Sequence, residues 1–217
     1  MEKFDIVVIG SGPGGYPAAI RSAQLGASAA IIEKEQLGGT CLNWGCIPTK
    51  TLIASSDLFW KMKTSKELGL VPGDNGYDYS AMINRKKGVV DRLQNGIGQL
   101  LKANGVTLIQ GTGSFVQRNR ISVTGPDGNK TEIEAGKTII ATGSDSAIPG
   151  FIPKSDRIVD SKAFLDLTVL PKELLVLGGG VIGCEFACMA AQLGTKVTIV
   201  EMLEDILVML DPDVRRM

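Results

Sequence analysis

Cys41 and Cys46 stand four residues apart within the stretch Gly38-Gly-Thr-Cys-Leu-Asn-Trp-Gly-Cys-Ile-Pro-Thr-Lys50. Two thiols that close in sequence can form a small disulfide ring, and Gly38, Gly39 and Gly45 around them permit tight turns and close approach of backbone to a ligand. Pro48 suits a first helical turn, and apolar residues at Leu52, Ile53, Leu58 and Phe59 predict a helix over Thr49 to Met62, with the second cysteine near its N-terminus. The positive end of a helix favours thiolate, the form that attacks disulfides or passes electrons to an acceptor. The pair is therefore read as the reaction centre. On these residues alone a structural disulfide, a metal site and two unrelated buried thiols stay open. Zinc is disfavoured, and no metal ligand set is assigned: the chain has no histidine, its other two cysteines lie far downstream, and four intervening residues are wide for a ligand pair.

The elements before this stretch have the form of a nucleotide site. Phe4 to Ile9 is an apolar run of strand length; Gly10-Ser-Gly12-Pro-Gly14-Gly15 follows, then a helical stretch to Leu25-Gly26 and a strand Ala29 to Ile32 that ends at Glu33. In such a βαβ pattern Gly10 makes the tight turn, Gly12 lets backbone approach a pyrophosphate, Gly15 allows helix against strand, and the acid receives ribose hydroxyls. Pro17 forfeits a helix hydrogen bond unless it lies in the first turn.

The same pattern returns downstream. Leu174 to Leu177 leads into Gly178-Gly-Gly180-Val-Ile-Gly183, a helix to Leu193-Gly194, and a strand Lys196 to Val200 ending at Glu201. Subtracting 168 carries Gly178, Gly180, Gly183, Gln192, Leu193, Gly194 and Glu201 onto Gly10, Gly12, Gly15, Gln24, Leu25, Gly26 and Glu33. Two nucleotide-binding units in one chain imply electron transfer between two nucleotides.

Between them, Ile83, Val89, Val90, Leu93, Ile97, Leu100 and Leu101 predict a helix over Ser80 to Asn104 with one buried face, ended by Gly105. Val106 to Gln110 reads as a strand. Phe115 to Ile140 reads as a small antiparallel meander with a turn at Asp127-Gly128, closed by Thr138 to Ser144 as a buried strand running into a small-residue turn. Pro149 and Pro153 mark a linker, so the boundary is placed near Ser146. The expected fold is α/β: two Rossmann-like dinucleotide-binding units, residues 1–146 with the cysteine pair and the meander, then residues 147–217 as an incomplete second unit.

With 217 residues, 44% of them hydrophobic, the chain can bury a sizeable core. Lys plus Arg and Asp plus Glu both number 23, without long blocks of one sign, so neither nucleic acid nor an anionic membrane is an indicated partner. No apolar run reaches membrane-spanning length, and the first strand begins too early for a leader, so a soluble, cytoplasmic protein is expected. Four cysteines in that compartment argue for chemistry over stapling.

Gly10-x-Gly12-x-x-Gly15, the Gly38 to Lys50 stretch, Ala141-Thr142-Gly143 and Gly178-x-Gly180-x-x-Gly183-x-Glu185, in that order, resemble the pyridine nucleotide-disulfide oxidoreductases over essentially the whole chain. The wording around the cysteines is most like the members that oxidise dihydrolipoamide with NAD; those that reduce glutathione disulfide or mercuric ion share the layout and are the alternative, as is a noncatalytic FAD-binding fragment. The resemblance implies FAD in the first unit, with the glycine loop on its pyrophosphate, Glu33 on its adenosine ribose and Lys50 beside its ring. Lys34, Gly39, Thr40, Cys41, Gly113, Thr142, Gly143 and Ser144 would line the rest of that site. Cys46 would face the flavin as a charge-transfer thiolate, and Cys41 would exchange disulfide with the substrate dithiol. NAD would lie in the second unit on Gly178, Gly180, Val181, Ile182 and Gly183, with Glu201 on its ribose and Glu185 near the nicotinamide. The implied partners are a lipoyl-bearing acyltransferase or lipoyl carrier protein of a 2-oxoacid dehydrogenase or glycine cleavage system, and a second subunit in a homodimer. Cys184 and Cys188, one helical turn apart, are expected to be core thiols. Family members also carry the rest of the NAD unit, a segment completing the FAD site and a dimerisation domain with a His-Glu base. The chain is thus expected to be an N-terminal portion, inactive by itself.

Overall fold

A computed structural model describes residues 1–71, 73 and 76–216. Its elements in chain order are β1 (Glu2–Ile9), α1 (Tyr16–Gln24), β2 (Ala29–Glu33), α2 (Gly39–Trp44), α3 (Cys46–Thr64), a 3₁₀ turn (Ser65–Leu68), α4 (Tyr79–Ala103), β3 (Thr107–Gln110), β4 (Thr112–Gln117), β5 (Arg120–Thr124), β6 (Lys130–Ile140), α5 (Ser161–Phe164), β7 (Glu173–Leu177), α6 (Val181–Gln192), β8 (Lys196–Val200) and α7 (Pro212–Arg215). The expected α/β class holds. Pro17 falls within the first two positions of α1, where its missing N–H costs nothing.

Six strands form one sheet in the order β3-β2-β1-β6-β5-β4. β3, β2, β1 and β6 run parallel, and β6, β5 and β4 antiparallel. The meander is therefore no separate layer. β6, 11 residues long, pairs with β1 on one side and β5 on the other, so the meander extends the nucleotide-binding sheet. Alternate residues serve opposite faces. Val8 and Ile31 pack with Ala19, Leu42, Val90, Ile97 and Leu101; Val7, Ile9, Ala30 and Ile32 pack with Ile121, Val123 and Ile133. Covered on both faces, β2 is buried along its whole length, as its unbroken apolar run requires.

β7 and β8 form a second, two-stranded parallel sheet. One face packs against α6, and Leu175, Leu177 and Val200 on the other are exposed. A core of Leu52, Phe59, Tyr79, Phe164, Leu165, Phe186, Met189 and Leu193 gathers α3, the start of α4 and α6. Chain contacts accordingly divide the molecule into Met1–Ile47 with Val89–Ile152, and Pro48–Gly88 with Pro153–Met217. The second division falls a few residues beyond Ser146. The first falls at the second residue of α3, so that nearly all of that helix serves the second core, and near the middle of α4, whose first half carries Tyr79 to the second core and whose second half carries Val90, Ile97 and Leu101 to the first.

The apolar spacing overstated burial at three helix positions. Leu58, Leu93 and Leu100 are exposed, because the buried stripes of their helices run instead through Leu52 and Phe59, and through Val90, Ile97 and Leu101.

Candidate active site

The cysteine pair straddles a break between helices. α2 ends at Gly45, where a Cβ would lie 2.7 Å from the Thr40 carbonyl oxygen, and α3 begins at Cys46 itself. The break folds the second cysteine back beside the first. Cys46 is exposed and Cys41 half-buried. Burial, then the Cys46 side chain as hydrogen-bond partner and as charge, pushes the Cys41 thiol above its usual range, while the Cys46 backbone N–H offsets this in part. The two sulfurs are thus unequal and interacting, as dithiol exchange requires. Asn43 holds α2 in place: its Nδ2 donates to the carbonyls of Gln36, Leu37 and Gly39 at 3.3, 3.1 and 3.0 Å.

The first glycine loop lies against this helix. Gly10 has φ +98°, and a Cβ there would stand 2.2 Å from the Ala141 carbonyl oxygen, so the loop and the residues after β6 touch backbone to backbone. That contact brings Thr142, whose Cα would lie 3.2 Å from the same Cβ, to the loop, and Gly143 and Ser144 follow it in the chain, all three exposed. A Cβ on Gly15 would meet the Gly10 carbonyl oxygen at 1.9 Å. Gly12 faces open space apart from the Gly39 Cα, whereas a Cβ on Gly39, at φ +60°, would press to 2.6 Å of the Gly12 Cα. Glycine against glycine joins the loop to the cysteine-bearing helix. No side chain caps α1; the Gly15 and Tyr16 N–H groups bond back to the Gly12 carbonyl at 2.8 and 3.2 Å, and this tight turn, bare of side chain at Gly12 and facing the positive end of the helix, fits a pyrophosphate.

Glu33 secures the loop. Its Oε2 accepts from the Ser11 N–H at 2.8 Å and hydroxyl at 2.6 Å, and its Oε1 from the Glu35 N–H at 2.8 Å. Ser11, fully buried, also receives the Gly38 N–H on its hydroxyl. Lys34 and Thr40 are exposed beside these groups, and Gly113 on β4 abuts Ile32.

The second loop repeats the geometry. Gly178 donates to the Val200 carbonyl at 2.8 Å as Gly10 does to Ile32, and a Cβ on Gly183 would meet the Gly178 carbonyl oxygen at 2.2 Å. Gly180 faces open space at the uncapped N-terminus of α6, with Val181 and Ile182 exposed beyond it. Glu201 accepts from the N–H of Gly179 at 2.6 Å, of Met202 at 2.8 Å and of Leu203 at 3.0 Å. The Leu203 and Gly179 bonds hold its carboxyl below the usual glutamate range. Leu207 donates to the Gly179 carbonyl at 2.8 Å. Glu185 on α6 pairs with Lys50 on α3.

Ser11, Asn43 and the Lys50–Glu185 pairing escaped the sequence reading. A serine buried inside a glycine turn was the one available signal, because its hydroxyl must find a partner there. Cys184 and Cys188 are not core thiols: the first is half-buried and the second exposed, since α6 buries Phe186, Ala187, Met189, Ala190 and Leu193 instead.

Comparison with known proteins agrees with this geometry. The chain is 42% identical over 221 residues to a dihydrolipoyl dehydrogenase of Acholeplasma laidlawii, covering 99% of this chain and 64% of that protein. It is 45% identical over 207 residues to a dihydrolipoyl dehydrogenase of Chlamydia pneumoniae, covering 95% and 44%. The chain thus spans about half to two thirds of the length of these relatives. Among solved structures, the Cu(II) complex of the HOCl-induced flavoprotein disulfide reductase RclA from Escherichia coli superimposes with a TM-score of 0.85 at 34% identity, covering all of this chain and 46% of that one. The sequence model of the pyridine nucleotide-disulphide oxidoreductases matches residues 4–217, and with two glycine-cradled loops and a dithiol across a helix break, the chain belongs to that family.

Proposed function

We propose that the protein is an NAD-linked dihydrolipoyl dehydrogenase working in the cytoplasm as a homodimer, and that this chain carries its redox-active pair and dinucleotide loops. The observation that carries the reading is the unequal pair, exposed Cys46 at the start of α3 and half-buried Cys41, on a helix locked to a dinucleotide loop through Gly12 and Gly39. The two relatives named dihydrolipoyl dehydrogenase support the substrate. A substrate thiolate attacks the Cys41 sulfur of a Cys41–Cys46 disulfide, releasing Cys46 as thiolate. The second substrate thiol then displaces Cys41, so that the substrate leaves as disulfide and the pair is left reduced. FAD, when bound, supplies the two-electron relay from the reduced pair to NAD.

The residues fit that cofactor: Gly10, Gly12, Gly15 and Gly39 leave room for its pyrophosphate, Glu33 keeps the loop closed, and Lys34, Thr40, Gly113 and Thr142 to Ser144 border the cradle. Lys50, oriented by Glu185, would supply positive charge beside the ring. Gly178, Gly180 and Gly183, with Val181 and Ile182, would receive NAD, and Glu201 its ribose. In this reading residues 1–146 and 147–217 contribute to the FAD and NAD domains. The implied partners are lipoyl-bearing acyltransferases or carrier proteins of 2-oxoacid dehydrogenase or glycine cleavage systems. A second reading, a flavin disulfide reductase with another substrate, is favoured by the likeness to RclA. The test expresses the protein from its native gene and assays dihydrolipoamide oxidation with NAD beside reduction of glutathione disulfide and mercuric ion. Dominant dihydrolipoamide turnover is expected; preference for either other substrate overturns the first reading.

A further inference from the structure

The four cysteines form two pairs, and only one lies at the reaction centre. Cys184 and Cys188 stand one helical turn apart on α6, the first half-buried and the second exposed. Cys184 Sγ donates to the Gly179 carbonyl at 3.4 Å, inside the second glycine loop, whose Gly179 N–H is held by Glu201. Side chains at this helical spacing have Cβ atoms about 5–6 Å apart. A disulfide needs about 3.5–4.5 Å, so this pair closes no S–S bond while α6 stays helical. A single soft atom with bonds to sulfur of about 2.3 Å, the length of a zinc–thiolate bond, bridges the gap. Zinc itself lacks ligands, since among the described residues no group of three or more His, Cys, Asp or Glu side chains is placed to hold a metal ion. A three-coordinate centre that brings its own third substituent needs two sulfurs only.

We propose that Cys184 and Cys188 form a chelating site for trivalent organoarsenicals, and that occupation draws Cys184 from the Gly179 carbonyl and loosens the second dinucleotide loop. The chemistry is ligand exchange without oxidation: an aryl arsenoxide gives up its oxygen as water with the two thiol protons, and arsenic keeps its aryl group and gains two sulfurs. The binding and the loosening stand on the placement of the two cysteines and on the Cys184–Gly179 bond; that the loop receives a dinucleotide rests on the function proposed above.

The test uses the 217-residue chain with Cys41→Ser and Cys46→Ser, which leaves Cys184 and Cys188 as its only thiols, and phenylarsine oxide as probe. One equivalent should bind, with the mass gain of the probe less one water and protection of both cysteines from alkylation. Adding Cys188→Ser should weaken uptake by roughly 10²-fold, the loss of an intramolecular second ligand. Equal uptake by that single-thiol protein, or protection of one cysteine only, overturns the site. The unsubstituted chain, with Cys41 and Cys46 first oxidised to a disulfide, gives the same alkylation readout where the serines disturb folding. Amide exchange at Gly179 should quicken on occupation; unchanged exchange overturns the coupling to the loop.

Discussion

Lys50 in α3 and Glu185 in α6, separated by 135 residues of chain, form an ion pair. The Lys50 side chain is 59% exposed and that of Glu185 29%, so water screens the attraction. A double-mutant cycle with Lys50→Ala and Glu185→Ala, read by urea unfolding, should give a coupling of about 0.2–1 kcal/mol. A markedly larger coupling would place the pair in a drier setting than its exposure indicates. On the function proposed above the pairing would also orient the ammonium toward the flavin, so Glu185→Ala should change the absorbance of bound flavin while leaving flavin affinity nearly intact.

The glycines of the first loop should separate folding from binding. Gly15→Ala forces a Cβ to 1.9 Å of the Gly10 carbonyl oxygen and should destabilise the chain by about 1–3 kcal/mol. Gly12→Ala meets nothing closer than 3.8 Å and should leave stability within about 0.5 kcal/mol. It fills the space a pyrophosphate needs, so FAD affinity should fall on the order of tenfold or more, about 1.4 kcal/mol. Unfolding midpoints and flavin titrations of the two variants check this, and the reverse pattern would refute the cradle.

In the reduced protein, iodoacetamide should modify exposed Cys46 before Cys41. Burial, and then the neighbouring Cys46, raise the Cys41 thiol above its usual range. Its alkylation should therefore accelerate only at higher pH than for a free thiol. Cys46→Ala removes one of these causes, so the Cys41 pH–rate profile should move down in pH without returning fully to that of a free thiol. Peptide mass mapping across pH reads both quantities.

The second loop should loosen in acid. Three backbone N–H groups depress the Glu201 carboxyl. A depressed carboxylate contributes stability that is complete above its unfolded value, about 4.3, and lost as pH falls through the lower folded value. Amide protection at Gly179, Met202 and Leu203 should decline over that range relative to Gly10, whose N–H bonds to a carbonyl. Glu201→Gln should start with weaker protection and lose this pH dependence.

Nicotinamide choice should follow the same carboxylate. Glu201 directly follows β8; on the function proposed above its carboxylate would accept ribose 2′-hydroxyl hydrogen bonds, and a 2′-phosphate there would meet like charge. In the protein expressed from its native gene, kcat/KM for NAD should exceed that for NADP by on the order of a hundredfold. Comparable values would remove Glu201 from the specificity site.

Much of this architecture was readable from residue order because it depends on local rules. A glycine triplet between an apolar strand and a helix can do little else than turn tightly and pack closely, and an internal repeat at a fixed offset of 168 residues identifies the second unit from the first. The helix start near Cys46 followed from Pro48 and the periodicity beyond it. Periodicity says which helix face is apolar, but not how much of it is covered. Leu58, Leu93 and Leu100 lie exposed, and Cys184 and Cys188 lie off the buried face, for that reason.

Only the tertiary structure decided which distant groups meet. The meander became an extension of the nucleotide sheet because β6 offered β1 one edge and β5 the other. Gly12 met Gly39, Ser11 met Glu33, and Lys50 met Glu185. Each of these contacts joins residues far apart in the chain, and the choice of partner is made by the packing of whole elements against one another. A glycine, a serine hydroxyl or a lysine carries no local mark of the group it will face, so the sequence determined the parts of the site and the packed fold determined their pairing.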